Sequence, residues 1–100
     1  MENFQPNKII HEPPRLKIMV LLASDKEHAV TFPDIKDALG MSSGNLSVQL
    51  KTLENAGYIS MEKYIDDNKS RTDVSITPAG KEALIEYMES LERFLSRVKK

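Results

Sequence analysis

The sequence lacks cysteine altogether, and this absence removes several kinds of chemistry. Disulfides, thiolate metal sites and cysteine nucleophiles all require a cysteine, so none of them is available to this chain. Long hydrophobic runs are missing too, since no apolar stretch approaches the ~18 residues that a membrane-spanning helix needs. The opening stretch MENFQPNKII also lacks the basic-then-apolar order of a signal peptide. We therefore expect a cytoplasmic protein with no membrane contact.

A surplus of positive charge is also missing. The 14 Lys and Arg residues are outnumbered by 15 Asp and Glu residues, which gives a formal net charge of −1 at pH 7. Nucleic-acid-binding domains usually carry a basic balance, so any phosphate binding here must depend on where a few cations lie. With 100 residues and 40% apolar content, the chain has the size of one compact domain. We expect a single domain over residues 1–100.

Residue types suited to enzyme chemistry are sparse. The two histidines, His11 and His28, lie in different segments beside Glu12 and Glu27, and adjacent Glu and His residues are more often surface residues than catalytic ones. A glycine-rich phosphate loop is absent from the sequence. We therefore expect no enzyme activity, no metal site and no cofactor.

Helix signals begin near the amino end. The stretch PPRLKIMVLLAS, residues 13–24, starts with proline and carries apolar positions that suit a buried helix. A short helix is expected before it, in FQPNKII.

Two further helices are expected close together in the chain. Residues 30–40 have an N-cap candidate at Thr31, a proline in the first turn and a flexible stop at Gly40. Ser42 then caps a helix over about residues 43–56. Two helices joined by such a short glycine-containing turn are the signature of a helix-turn-helix.

The helix over residues 43–56 divides into two faces. At about 100° per residue, Leu46, Leu50 and Leu53 fall within a narrow sector and are expected to pack inward. The opposite face consists of Gly44, Asn45, Ser47, Val48, Lys51, Thr52 and Asn55. Asn and Ser can hydrogen-bond base edges, Val can contact a thymine methyl, and a helix amino terminus favours a phosphate. On these residues alone, the polar side of an ordinary amphipathic helix stays an open alternative.

A β-hairpin is expected after this helix. Gly57 is placed to end the helix in the left-handed conformation, and strand-like residues then flank the polar turn DDNKS. Lys69 and Arg71 lie among Asp66 and Asp67 at the hairpin tip, and we expect these acids to hold the cations until a phosphate competes. A solvated loop of mixed charge is an equally good interpretation of this spacing.

The last segment is expected to form a long helix with Thr77 as its N-cap and Pro78 in its first turn. Its apolar residues repeat at heptad spacing, which favours packing against a second copy of the chain. With help from the amino end, the expected dimer-interface residues are Phe4, Ile9, Ile10, Leu84, Tyr87, Met88, Leu91, Phe94, Leu95 and Val98. The alternative is that part of this helix covers the domain's own core.

The order of these elements carries a family resemblance. The helix with SSGNLSVQLKTLENAGYI and the hairpin with RTDVSITPAGKEAL resemble short winged helix-turn-helix transcriptional regulators of the MarR-like kind, many of them archaeal or bacterial. The resemblance runs from about His11 to Leu84. It implies a mainly α fold with a small β-hairpin, a winged helix-turn-helix domain with a long C-terminal dimerisation helix. We expect residues 11–77 to be the winged-helix core, with residues 1–10 and 78–100 as dimerisation elements.

The resemblance also implies a function, namely sequence-specific binding of double-stranded DNA by a homodimer on a palindromic operator. Helix 43–56 is similar to the family's recognition helix in the major groove, and Lys69 and Arg71 are similar to basic wing residues that reach the backbone or minor groove. The expected DNA-binding residues are Ser42, Ser43, Gly44, Asn45, Ser47, Val48, Lys51, Thr52, Lys69 and Arg71. An alternative from a different class is a winged helix that contacts protein, as a subunit of a larger assembly.

Relatives with this fold often bind a small-molecule effector between the dimer helices and the DNA-binding lobe. Tyr58, Tyr64, Tyr87, Met88 and Phe94 could line such a space here, or they could be core packing. The sequence therefore leaves an effector open and identifies none.

Overall fold

The computed structural model describes residues 4–24 and 29–99, which form four α-helices and a three-stranded sheet. In chain order the elements are α1 (Pro13–Ser24), β1 (Val30–Thr31), α2 (Phe32–Leu39), α3 (Ser43–Asn55), β2 (Ile59–Asp66), β3 (Lys69–Ile76) and α4 (Pro78–Leu95), followed by a 3₁₀ turn at Ser96–Lys99. The mainly helical plan with one hairpin is thus confirmed. Within the described ranges, no helix has both the length and the apolar character needed to cross a membrane.

The ends of α2 and α3 follow local signals in the sequence. At the start of α2, Thr31 Oγ1 accepts a hydrogen bond from the backbone N–H of Asp34 at 3.3 Å. Gly40 ends this helix in the left-handed conformation, with φ of 64°. At the start of α3, Ser42 Oγ accepts from the N–H of Asn45 at 3.1 Å. Each cap satisfies a donor that the first helical turn leaves unpaired, so both predicted caps are confirmed.

The amino end departs from the prediction, because residues 4–7 have no regular structure and residues 8–10 form a turn, so the short helix expected there does not form. Asn7 Oδ1 accepts from the N–H groups of Ile9 at 2.9 Å and Ile10 at 3.2 Å, and the Asn7 carbonyl accepts from His11 N at 2.7 Å. An Asn side chain that bonds nearby backbone in this way competes with helical bonding. The chain therefore turns once at Asn7 before α1 begins.

Strands β2 and β3 form the predicted hairpin and pair along their full length. The turn between them consists of Asp67 and Asn68, whose φ angles are 54° and 63°. Positive φ at both central positions is typical of a type I′ turn, whose twist matches that of the flanking strands. Asp66 and Lys69 therefore face each other as the last pair before the turn.

A third strand, β1, was not predicted. It pairs antiparallel with β3 through Val30 with Val74 and Thr31 with Asp73, which gives the strand order β1-β3-β2. A strand of two residues has no alternating pattern for sequence analysis to detect. Its effect is to tie the start of α2 to the hairpin.

One hydrophobic core lies between the helices and the sheet. Its buried residues are Ile10, Ile18, Met19, Leu22, Ile35, Leu46, Leu50, Leu53, Ile59, Val74, Leu84 and Tyr87. The inward positions predicted for α3 are therefore confirmed. Burial of one such side chain contributes about 1.5–3 kcal/mol, so this cluster holds α3 and the hairpin in place.

Three core residues correct the predicted dimer interface. Ile10, Leu84 and Tyr87 were expected to contact a second copy, but the chain buries each of them to 5% exposure or less. Residues covered in this way have no surface left for a partner, so that assignment is wrong. The reason is that a heptad pattern shows which face of a helix is apolar and not which surface covers it. The first half of α4 thus belongs to the core of the domain.

The start of α4 makes a close contact with the junction between α3 and β2. Thr77 Oγ1 donates to the carbonyl of Gly57 at 2.7 Å, and Thr77 N donates to the carbonyl of Tyr58 at 3.0 Å. Gly80 N in turn donates to Thr77 Oγ1 at 3.0 Å. Gly80 is buried against the Tyr58 carbonyl, where a β-carbon would collide with the oxygen. Glycine at this position therefore lets α4 begin directly against the end of α3.

Candidate nucleic-acid interface

The outward face of α3 carries short side chains near the amino terminus of the helix. Its exposed residues are Ser42, Ser43, Gly44, Asn45, Ser47, Val48 and Lys51. Thr52 differs from the prediction in being half-buried, and its hydroxyl donates to the Val48 carbonyl at 3.2 Å. The first two turns of α3 therefore offer amide and hydroxyl groups, together with an apolar Val48 that is 62% exposed, on a surface that a partner can approach closely.

A cleft of about 670 Å³ separates α3 from the inner face of the hairpin. Its lining consists of Phe32, Ser47, Leu50, Lys51, Glu54, Met61, Lys63 and Thr72. Lys51 from α3 and Lys63 from β2 thus bring two ammonium-bearing side chains to the same cleft. Sequence analysis missed Lys63, although strand alternation places it on the same side as Ile59 and Met61.

Lys51 forms an ion pair with Glu54 on the rim of this cleft. The Lys51 Nζ lies 3.8 Å from Glu54 Oε1, and the Lys51 side chain is 68% exposed. An exposed pair of this kind contributes roughly 0.2–1 kcal/mol and is weakened by salt. Lys51 can therefore exchange Glu54 for a phosphate at small energetic cost.

The cations of the hairpin are placed differently from the prediction. Within the described ranges, neither Lys69 nor Arg71 forms an ion pair with Asp66 or Asp67, so the expected hold by these acids is wrong. An ion pair between two exposed, flexible side chains contributes little free energy in water, because both side chains lose conformational freedom. This explains why Asp66 and Lys69 form no ion pair although they face each other across the hairpin. Arg71 lies opposite Tyr64 and is half-buried, and its buried Nε has no hydrogen-bond partner in the described part of the chain.

Tyr64 and Asp73 form a hydrogen bond on the outer face of the hairpin, where Tyr64 Oη donates to Asp73 Oδ1 at 3.2 Å. Desolvation of the phenol and the neighbouring Asp73 carboxylate raise the pKa of Tyr64 above its usual value of 10.0, and the nearby Arg71 opposes this shift. The phenol is therefore a neutral group at neutral pH. The outer face of the hairpin presents an acid and a phenol, with Arg71 as the cation beside them.

Hydrogen bonds that the sequence analysis missed connect α3 to α1 and to the amino-terminal turn. Arg15 Nη1 donates to Gln49 Oε1 at 2.8 Å, and Gln49 Nε2 donates to Asn45 Oδ1 at 3.1 Å. Arg15 Nε also donates to the carbonyl of Ile9 at 2.6 Å. Arg15 and Gln49 are 34 residues apart, so no local pattern in the sequence could reveal their contact. Asn45 is the exposed end of this connection.

The other residues expected at a dimer interface divide between the interior and the surface. Ile9 and Leu91 are half-buried against the core, and Phe4 stacks on Phe94 of the same chain with ring centroids 4.8 Å apart. The exposed members are Met88, Phe94, Leu95 and Val98, and Ile85 is a further exposed apolar residue that was not predicted. Since α4 ends at Leu95, Val98 lies on the 3₁₀ turn beyond the regular helix.

His11 has a structural partner, since its Nδ1 lies 2.8 Å from the Tyr87 hydroxyl. His28 and Glu27 lie outside the described residues. Among the residues that the structure does describe, no group of three or more His, Asp or Glu side chains could hold a metal ion.

The aromatic residues and the methionine considered for an effector space do not share one environment. Tyr64 lies on the hairpin, Tyr58 accepts from Asn7 Nδ2 at 2.8 Å, and Tyr87 is in the core. Met88 and Phe94 belong to the exposed side of α4. None of these five side chains lines the cleft beside α3.

Comparisons with known proteins agree with this geometry. Residues 15–95 match the family described as winged helix DNA-binding domain. An uncharacterized protein of Methanocaldococcus jannaschii is 32% identical over 81 residues, which cover 81% of this chain and 86% of the relative. A transcriptional regulator homologue protein from Pyrococcus horikoshii superposes with a TM-score of 0.85 at 30% identity, over 94% of this chain and 91% of that one. The MepR–DNA complex of S. aureus has a similar fold, with a TM-score of 0.71 at 17% identity over 92% and 73% of the two chains.

Proposed function

The chain belongs to the winged helix DNA-binding domain family, and we propose that it is a transcriptional regulator that reads a palindromic operator as a homodimer. Its fold is that of MarR-like regulators, which confirms the resemblance found in the sequence. The family is one of DNA-binding regulators, which is not an enzyme class. The proposed partner is double-stranded DNA, with α3 in the major groove and the β2–β3 hairpin as the wing on the backbone or minor groove.

The observation that carries this proposal is the short, exposed amino-terminal face of α3. An α-helix with its side chains is about 10–12 Å across, which fits a major groove about 12 Å wide. Around Gly44 there is open space, so a sugar-phosphate backbone can approach the helix start closely. Asn45 and Ser47 offer hydrogen-bonding groups for base edges, and Val48 offers a methyl contact for thymine.

A few cations supply the electrostatic part of the proposed interface. Lys51 and Lys63 line the cleft beside α3, while Lys69 and Arg71 lie on the wing. Each phosphate that a protein neutralises contributes a slope of about −0.9 in log affinity against log salt. Because the chain as a whole is near neutral, we expect weak sequence-independent binding. A dimer doubles the number of available cations, so we expect that the pair of subunits binds DNA far more tightly than one subunit.

We place the dimer contact on the second half of α4 and the 3₁₀ turn that follows it. Leu95 is 47% exposed and Val98 is 83% exposed, and apolar side chains at such positions gain free energy when a second copy covers them. Residues 1–10 and 78–100 stay the proposed dimerisation elements, apart from the core residues among them. A two-fold dimer would set two α3 helices roughly 34 Å apart, the spacing of successive major grooves on one face of DNA.

The experiment that tests this function is a selection of bound duplexes from a random pool at low and moderate salt. We expect the wild-type protein to enrich a palindrome whose half-sites are one helical turn apart. Asn45→Ala should cost on the order of 1–3 kcal/mol on that sequence, since a lost base contact has this magnitude. Asn55→Ala, the same substitution at the far end of α3, is the matched control and should bind normally. Recovery of no enriched duplex at either salt would contradict the proposal.

One observation favours a second candidate function, a winged-helix subunit that contacts protein in a larger assembly. Ile65 is 73% exposed on the wing, directly before the acidic pair Asp66 and Asp67. An apolar side chain beside two carboxylates suits a protein surface better than a phosphate backbone. Under this alternative the duplex selection recovers nothing, and Ile65→Ser weakens binding to the partner protein.

The proposed location is the cytoplasm, because operator DNA lies there in archaea and bacteria such as those of the similar proteins. The proposed surface contacts DNA with its own side chains and helix amide groups, so the proposal includes no cofactor. A small-molecule effector stays unidentified.

A further inference from the structure

We propose that Arg15 and Gln49 determine the base preference of α3 by fixing which group of Asn45 faces the DNA. This inference rests on the proposed function, because it assigns a task to residues behind the DNA-binding face. Arg15 and Gln49 are positioning residues that act through Asn45. Together the three side chains form what we call the α1–α3 relay.

Arg15 determines which atom donates and which atom accepts in each hydrogen bond of the α1–α3 relay. A guanidinium can only donate, so the Gln49 atom that lies 2.8 Å from Arg15 Nη1 must be the amide oxygen. The amide nitrogen of Gln49 is then the atom that faces Asn45, 3.1 Å away. Because this nitrogen is a donor, the Asn45 atom that it meets must be the side-chain oxygen.

Arg15 is well placed to keep this direction fixed. Its side chain is half-buried, and its Nε donates to the Ile9 carbonyl at 2.6 Å. The Ile9 backbone is itself held, since its N–H donates to Asn7 Oδ1 at 2.9 Å and Asn7 Nδ2 donates to the Tyr58 hydroxyl at 2.8 Å. Hydrogen bonds from a charged donor are stronger than neutral ones. The relay is therefore set before DNA arrives.

Asn45 is the exposed end of the relay, and the orientation of its amide group determines which bases it can contact. An unconstrained Asn can pair with adenine through both its oxygen and its nitrogen, which meet the adenine N6 donor and N7 acceptor. In this protein Gln49 occupies one of the two lone pairs of the Asn45 oxygen and fixes where that oxygen points, whereas neither amide N–H of Asn45 has a partner among the described residues. Donors therefore outnumber acceptors in what Asn45 offers to DNA. Guanine presents two acceptors, N7 and O6, whereas cytosine presents a donor at N4. We therefore expect guanine over adenine and cytosine at the base that Asn45 contacts.

The sharpest test is Gln49→Glu, which changes the direction of the relay without removing it. The new carboxylate still accepts from Arg15, so the connection between α1 and α3 is kept. It has no N–H to donate, so Asn45 should turn its amide N–H toward the carboxylate and present its oxygen to DNA. In a selection from random duplexes, the ratio of guanine to cytosine at that single position should fall by about tenfold or more. The other positions of the half-site should keep their preferences.

A second variant removes the origin of the relay. Arg15→Met leaves Gln49 and Asn45 free to turn, so the preference for guanine over adenine should relax at the same position. Two controls match the charge changes outside the relay. Lys17→Met removes a cation from α1, and Asn55→Asp adds an anion to α3. Both controls should keep the wild-type preference, and thermal unfolding of every variant confirms that the fold is retained.

The possible results distinguish a failure of this inference from a failure of the proposed function on which it rests. The inference is overturned if Gln49→Glu and Arg15→Met select the same base as the wild-type protein at every position. It is also overturned if both variants lose preference equally at all positions, since that would indicate a general loss of structure. A wild-type protein that enriches no duplex overturns the proposed function, and this inference with it.

Discussion

The carbonyl oxygen of Tyr58 occupies the space that a β-carbon on Gly80 would need. Tyr58 follows the end of α3, and Gly80 is in the first turn of α4, so this contact fixes where the long helix begins relative to α3. In the proposed dimer, α4 carries the contact between subunits and α3 reads the DNA. The distance between the two reading helices therefore depends on a junction with no room for a side chain.

Gly80→Ala should destabilise the protein, because its methyl group would overlap the Tyr58 carbonyl and force the start of α4 to move. Overpacking of this kind costs about 1–3 kcal/mol, which urea or thermal unfolding would measure. Gly44→Ala is the matched control, since nothing lies within 4 Å of the position of its β-carbon. The control should be neutral or gain roughly 0.5–1 kcal/mol from the smaller entropy loss of Ala. Equal stability of the two variants would contradict the role of this contact.

Lys63→Gln should reduce the salt dependence of DNA binding, because Lys63 lines the cleft that lies beside α3. The loss of one phosphate contact lowers the slope of log affinity against log salt by about 0.9. Fluorescence anisotropy with the selected duplex at several salt concentrations measures this slope. Lys81→Gln removes the same charge from exposed α4 and serves as the control. An unchanged slope for Lys63→Gln would exclude a phosphate contact by this residue.

Leu95→Lys should convert the proposed dimer into folded monomers. Leu95 is 47% exposed in one chain, so a lysine can be accommodated there without disturbing the core, but its charge opposes burial in a dimer. Sedimentation equilibrium measures the mass, and circular dichroism checks the fold. Ile85→Lys places the same charge at a similarly exposed position of α4 outside the predicted heptad positions, and this variant should stay dimeric. A dimer that persists in Leu95→Lys would show that the contact lies elsewhere.

Tyr64 should ionise at a higher pH than an ordinary tyrosine, because desolvation and Asp73 raise its pKa above 10.0. In the unfolded chain the phenol loses its proton first as the pH rises. The stability that Tyr64 contributes is therefore fully present below pH 10.0 and is lost as the pH passes through the pKa of the folded state. Ultraviolet absorbance of tyrosinate, taken as the difference between the wild-type protein and Tyr64→Phe, measures the pKa.

Removing the carboxylate provides the control for this titration. Asp73→Asn should lower the pKa of Tyr64 toward its usual value, since it removes both the negative charge and the carboxylate that accepts the hydrogen bond. Asp67→Asn makes the same substitution in the turn, away from the phenol, and should leave the pKa unchanged. If the two variants titrate alike, Asp73 is not the cause of the shift.

The starts of α2, α3 and α4 and most of the exposed face of α3 could be predicted because their signals are local. Thr31, Ser42 and Thr77 each accept a hydrogen bond from the backbone three residues further along. Gly57 adopts the left-handed conformation that its position predicted, and Gly40 ends α2 where a stop was expected. A cap and its partner lie within one helical turn, so the sequence contains the whole interaction. The 3.6-residue period likewise separates Leu46 and its inward neighbours from the exposed residues of the same helix.

Contacts between distant segments were decided by the tertiary structure. Lys63 reaches the cleft of Lys51 because the hairpin packs beside α3, and Arg15 meets Gln49 across 34 residues. Neither juxtaposition has a pattern within a short window. The ion pairs predicted for the wing are the opposite case, because their residues are close in sequence but do not form the pairs. Proximity in sequence is not enough, since an ion pair surrounded by water contributes little free energy.

The apolar face of α4 illustrates, within one helix, which features the sequence determines and which features the tertiary structure determines. The sequence by itself determined that Leu84, Tyr87, Leu91 and Leu95 lie on one side, because the helical period places them there. Only the tertiary structure decided that Leu84 and Tyr87 are buried in the domain while Leu95 stays exposed. The physical reason is that hydrophobicity favours removal from water without direction, and packing geometry selects the surface that does the covering.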